Sequence, residues 1–226
     1  MHKAAQYLRN NLKPSFPKHF RMGFLGLGAL FFAFFTLFTF LVKADKLRQF
    51  DFDSTVRLQG HIPLKFDDFF SFLSVSGRFE TSIVILLIVL ILRRKIMGLL
   101  VIGLFGAGHI IEIIGKNLLN QPGPPHMFLR TTTLSRNFPG LYVDTNDTYP
   151  SGHSLRVVFL SIVIILILYK SKKLPAFLRY SVIGIVILYA ALMLISRVSL
   201  GEHWSTDVIG GALLGASFGL FSLLLL

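Results

Sequence analysis

Residues 152–169 read GHSLRVVFLSIVIILILY. Past Arg156 the run is apolar except for Ser161 and Tyr169. As a helix rising 1.5 Å per residue it is about 27 Å long, close to the roughly 30 Å hydrocarbon core of a bilayer. Backbone groups cannot stay unpaired in hydrocarbon, so such a run crosses as a helix. Similar runs occupy about 22–42, 80–92, 96–118, 176–195 and 207–226. The expectation is an all-α, polytopic membrane protein with six transmembrane helices. The 80–92 run is short for a crossing, so its helix should begin in the preceding polar segment, near Phe72 or Gly77.

Composition agrees. The chain has 226 residues, 53% hydrophobic and 15% charged, where a soluble domain carries roughly a quarter charged residues. It lacks cysteine, which excludes disulfides and thiolate metal sites. The formal charge of +12 would suit nucleic acid if it formed one stripe. Instead the basic residues flank apolar runs, as expected for anionic lipid headgroups and topology signals, so membrane lipids and not nucleic acid are the expected partners.

The same flanks set orientation. Lys3, Arg9, Lys13, Lys18 and Arg21 precede the first span; Arg93, Arg94 and Lys95 fill the second turn; Lys170, Lys172, Lys173 and Arg179 surround the fourth. All lie on one side of a six-span chain, which the positive-inside rule makes cytoplasmic, together with both termini. The 120–150 loop, the start of span four, the 196–206 loop and the start of span six then meet on the external side. A prokaryotic plasma membrane is the expected setting. We read the chain as one domain, 1–226, with an N-terminal tail 1–21, an interfacial segment 45–79 and a catalytic core at about 110–210. Segment 45–79 mixes Phe50, Phe52, Phe66, Phe69, Phe70 and Phe72 with charges. It reads as an amphipathic helix in the membrane interface, or equally as a loop packed on the bundle. Gly211, Gly215 and Gly219, four apart, should let the last span approach a neighbour closely.

Polar chemistry gathers at the external ends. His203 and Asp207 stand four apart, on one helix face. The carboxylate can then accept the imidazole Nδ1–H and leave Nε2 free for an electrophile. Arg197 can offer a planar donor fork to a phosphate. Alone, the pair reads equally well as an interfacial His–Asp contact beside a snorkelling arginine. Pro150-Ser151-Gly152-His153 tips the balance, because a helix start with a glycine and freed N–H groups suits an anion. His153, in that first turn, is placed to protonate a leaving oxygen. On span three, His109, Glu112 and Lys116 share a face, and a neutralising Glu112–Lys116 pair is expected there.

Together these residues resemble the type 2 phosphatidic acid phosphatase superfamily, the metal-independent membrane acid phosphatases. Its second motif, Pro-Ser-Gly-His, is matched by 150–153. Its third, Ser-Arg, five residues, His, three residues, Asp, is matched by Ser196, Arg197, His203 and Asp207. Its first, Lys, six residues, Arg-Pro, is matched at Lys116 and Pro124, but Gly123 replaces the arginine. Arg130, then Arg156, then Arg136 are candidates for the missing guanidinium.

The resemblance implies hydrolysis of a phosphomonoester or pyrophosphate on a lipid: an isoprenyl diphosphate, favoured slightly, a phosphatidylglycerophosphate or phosphatidic acid. It implies His203 as nucleophile forming a phosphohistidine, Asp207 orienting it, and His153 as acid and then base. Lys116, Arg197, the Ser151 hydroxyl and the backbone donors of Ser151 and Gly152 would hold the phosphoryl oxygens, with neither metal nor other cofactor. A lipid phosphotransferase and an inactive lipid-binding or transport protein are the rival readings. Oligomeric state is unreadable from the sequence.

Overall fold

The structure is a computed structural model that describes residues 17–93, 98–130, 147–170 and 174–225. The described residues form eight helices: α1 Lys18–Lys43, α2 Arg48–His61, α3 Asp67–Ser76, α4 Phe79–Arg93, α5 Gly98–Leu119, α6 Gly152–Lys170, α7 Ala176–Ser199 and α8 Ser205–Phe221. Among the described residues there is no strand. Single 3-10 turns interrupt the connections at Leu64–Phe66 and His126–Phe128, and a third, Ser222–Leu224, extends α8.

The last helix is the centre of the bundle. Of its most apolar stretch 72% is buried, against 11% for α1. The glycines explain the position. A Cβ on Gly211 would stand 2.2 Å from the Ser151 carbonyl oxygen, and one on Gly215 would stand 2.4 Å from that of Leu155. The backbones of α8 and α6 therefore touch where a side chain cannot fit, as in small-residue packing of membrane helices. Around that seam Phe105, Leu155, Phe159, Val163, Leu214 and Phe218 form the core. The outward faces of α1, α4, α5 and α7 expose Phe34, Ile91, Ile113 and Ile187. Lipid is the solvent that makes such faces stable.

Among the described residues five helices are long and apolar enough to cross a membrane, and the broken pair Leu64–Ser76 and Phe79–Val89, bent by 56°, makes a sixth candidate if the two halves form one span. The expected start of span two near Gly77 is thus an elbow. A Cβ on Gly77 would stand 3.0 Å from His153 Cδ2 and 2.9 Å from Met193 Cε, so the elbow sits directly on the start of α6.

Segment 45–79, read as an amphipathic helix or a loop packed on the bundle, holds α2, a 3-10 turn and α3. Pro63, which cannot continue a helix, separates α2 from α3. The buried residues of α2 are Asp51 and Thr55, while Phe50 and Phe52 are exposed. Its polar face turns into the protein because its partner is the polar N-terminus of α8.

Candidate active site

The start of α6 supplies Ser151, Gly152 and His153. Ser151 is fully buried, and its Oγ has no protein partner; neither has His153 Nε2. The Ser151 backbone N–H donates to the Asp207 carbonyl at 3.0 Å. That corrects one expectation: this N–H closes the α6–α8 contact and is not available to a phosphoryl oxygen. Gly152 is required by crowding. A Cβ there would lie 2.1 Å from Glu112 Oε1 and 2.8 Å from an Arg156 guanidinium nitrogen.

The turn between α7 and α8 supplies the second group. Arg197 is completely buried, a position that costs several kcal/mol unless the charge is paired. Glu202 pairs with it through one terminal nitrogen, while the other terminal nitrogen is buried without a protein partner. The Arg197 carbonyl accepts the N–H groups of Glu202 and His203, which curls the loop. Asp207 then does two jobs with one oxygen. Its Oδ2 accepts the Trp204 N–H at 2.9 Å, capping α8, and lies 3.4 Å from His203 Nδ1. Its Oδ1 is buried and unpartnered.

The end of α5 supplies a carboxylate hub. Glu112 lies 3.0 Å from Lys116 Nζ, 2.7 Å from His109 Nδ1 and 3.9 Å from an Arg156 nitrogen. The Glu112–Lys116 pair is present, and Arg156 joins it across the helix gap. Arg156 Nε also donates to the Gly77 carbonyl at 2.8 Å, tying the α3–α4 elbow to the hub. Arg197, Arg156, His203 and Lys116 all lie close enough to act electrostatically on His153. Three chain segments far apart in sequence thus deliver two imidazoles and three cations to one place.

Arg130 is the main departure from the sequence reading. Its guanidinium donates to the carbonyls of Gln59 and Ile62 and to Asp67. It staples α2 to α3 instead of joining the cluster, because two carbonyls at the end of α2 and a carboxylate at the start of α3 engage its donors. Arg136 lies outside the described residues.

Three contributors had no sequence signal strong enough to single them out. Asp51 accepts the Thr206 N–H at 2.8 Å and the Thr206 hydroxyl at 2.7 Å, fixing the residue beside Asp207. Gln59 donates to the carbonyls of Phe128 at 2.7 Å and Ser199 at 3.0 Å, holding the loop before His203. Glu202 neutralises Arg197; its acidity inside the five-residue spacer was the one available hint. Among the described residues no group of three or more His, Asp or Glu has a metal-holding arrangement.

Six candidate crossings with two motif-bearing helix ends packed together define an integral membrane protein of known type. The chain belongs to the PAP2 superfamily, whose sequence profile matches residues 96–226. Phosphatidylglycerophosphatase B of Bacillus subtilis (strain 168) is 30% identical to it over 128 residues, 54% of this chain and 55% of the relative. The chain therefore spans about half the length of that curated relative in the match. The crystal structure of a transmembrane PAP2 type phosphatidylglycerolphosphate phosphatase from Bacillus subtilis superposes with a TM-score of 0.66 at 23% identity, covering 86% of this chain and 92% of that one. Aquifex aeolicus LpxE superposes with a TM-score of 0.58 at 23% identity, covering 76% and 93%. These likenesses establish the fold.

Proposed function

We propose that the chain is a lipid phosphatase that works through a phosphohistidine without metal. The observation that carries this reading is the meeting of the His203–Asp207 pair with His153 and with Lys116, Arg197 and Arg156. His203 Nε2 attacks phosphorus as the bond to the lipid oxygen breaks. Asp207, accepting from Nδ1, keeps the attacking nitrogen unprotonated and stabilises the cation that forms. His153 gives its proton to the departing oxygen, then takes one from the water that cleaves the P–N bond. Lys116, Arg197, the Ser151 hydroxyl and the Gly152 N–H hold the equatorial oxygens as their charge grows. Arg156 takes the part of the arginine that Gly123 lacks.

The basic flanks support a site facing the external side of a prokaryotic plasma membrane, with both termini in the cytoplasm. Of the three lipid classes expected, the name of the curated relative favours phosphatidylglycerophosphate over isoprenyl diphosphate. Purified protein should release inorganic phosphate from at least one of these lipids in excess EDTA. Absence of release from all three, or release only after a divalent metal is restored, would overturn the reading.

A further inference from the structure

A cavity of about 580 Å³ lies against Trp204 at the start of α8, within the usual range for ligand sites of roughly 300–1,000 Å³. The end of α1, the start of α2, the Leu119–Pro125 connection and Trp204 enclose it. None of His153, Lys116, Arg197 or His203 lines it, so it is a separate compartment. Two links tie its wall to the residues beside the reacting groups. Trp204 follows His203 directly, and Asp51 in its wall holds Thr206, which precedes Asp207. Gly123 also lines it and puts no side chain into the space.

The lining has a definite chemistry. Gln121 Oε1 is buried with no protein partner, while its Nε2 makes only a long contact of 3.4 Å to the Thr206 hydroxyl. An unpaired buried amide oxygen calls for a donor. Arg48 at the rim is paired with Asp45 at 3.5 Å. Lys43 has no acidic partner within 4.0 Å among the described residues. Phe52, Leu119 and Trp204 supply apolar wall. A ligand that answers Gln121 must carry an O–H or N–H donor, which among the three lipid classes expected means a hydroxyl, and one that answers Lys43 must carry an anion. An isoprenyl diphosphate has no hydroxyl beyond its phosphates, and phosphatidic acid has no polar group beyond the phosphate and its esters. A glycerol joining two phosphates has both.

We propose that this cavity is a headgroup subsite for the hydroxylated, anionic linker of a glycerophosphate-type lipid phosphate. The inference rests on the phosphatase reading and names its substrate class.

The test uses the chain's single tryptophan, Trp204 in the cavity wall. Its fluorescence reports occupancy without turnover. Titrating the purified full chain with glycerophosphoglycerol, which keeps the hydroxylated, anionic linker but lacks the acyl chains and the terminal phosphate, should give a saturable change that inorganic phosphate does not. Gln121→Leu and Lys43→Ala should each weaken the apparent Kd about tenfold, the size of one net hydrogen bond. No response, an equal response to phosphate, or variants that titrate as wild type would each overturn the proposal. A second arm measures the ratio of kcat/KM for phosphatidylglycerophosphate over phosphatidic acid. That ratio should fall about tenfold in either variant, and an unchanged ratio would again refute the subsite. An intact fluorescence response with no phosphate released from either lipid would instead sink the phosphatase reading and leave the subsite standing.

Discussion

Replacing Arg130 with alanine separates a structural cation from a substrate-binding one. The side chain is 13% exposed and its partner Asp67 10% exposed, 3.2 Å apart. Removing one member of such a nearly buried pair strands the other charge, at about 3–5 kcal/mol. The carbonyls of Gln59 and Ile62 lose a charged donor as well. For a chain of this size that corresponds to a fall in Tm of about 6–20 °C. Adding Asp67→Asn should recover a good part of the loss, since no stranded carboxylate then remains. Catalysis should respond differently. At a temperature where the variant is folded, kcat/KM should stay within about threefold of wild type, since the guanidinium touches no phosphoryl oxygen in this account. Arg156→Ala should show the opposite signature, a tenfold to hundredfold fall in kcat/KM from the loss of one charge-assisted contact worth about 1.5–3 kcal/mol. Thermal melts in detergent and initial rates on the same samples decide the matter. An Arg130→Ala protein that melts like wild type yet loses a hundredfold in kcat/KM would refute the staple and return Arg130 to the site.

Three further expectations concern other parts of the molecule. Burial pushes the Asp51 carboxyl up from 3.8 to about 6, against the two Thr206 hydrogen bonds and with help from the Asp207 charge. Between those pH values the folded chain keeps a proton that the unfolded chain has lost, so stability should fall as pH rises through that window and level off above it. Asp51→Asn has no such proton, and a melt series that still showed the fall would exclude Asp51 as its source. Gly152→Ala drives a methyl to within 2.1 Å of Glu112 Oε1. It should lower stability by about 1–3 kcal/mol through overpacking and cost at least tenfold in kcat; wild-type kinetics would mean that the hub yields freely. Because the chain has no cysteine, orientation can be read from single cysteines at Met127, 82% exposed, and Phe177, 84% exposed. The first should react with an impermeant maleimide on intact cells and the second only after permeabilisation; the reverse would invert the topology.

Local spacing accounts for much of what could be read beforehand. Apolar run length sufficed for α1, α5, α6, α7 and α8, since a bilayer demands nothing subtler. The four-residue spacings of Glu112–Lys116 and His203–Asp207 put each pair on one face and within reach in the fold. What escaped depends on tertiary placement. Asp51 is one charge among several in segment 45–79, with nothing in the sequence to single it out, and only the packing of α2 against α8 makes it a cap for Thr206. The pairing of Arg197 with Glu202 needs the curl of a loop that no helical periodicity describes. Arg130 followed the first motif closely enough to suggest a phosphate contact, yet the carbonyls at the end of α2 claimed it. The α3–α4 break at Gly77 left the apolar run of α4 shorter than a crossing and hid the elbow that meets His153.

The central claim, that His203 carries the phosphoryl group between lipid and water, is tested most directly by chemical quench with radiolabelled lipid phosphate. Wild-type protein should yield an acid-labile, base-stable phosphoenzyme whose label maps to His203, and His203→Ala should yield none and show no turnover while melting like a folded protein. Label on any other residue, or turnover retained in His203→Ala, would contradict the account.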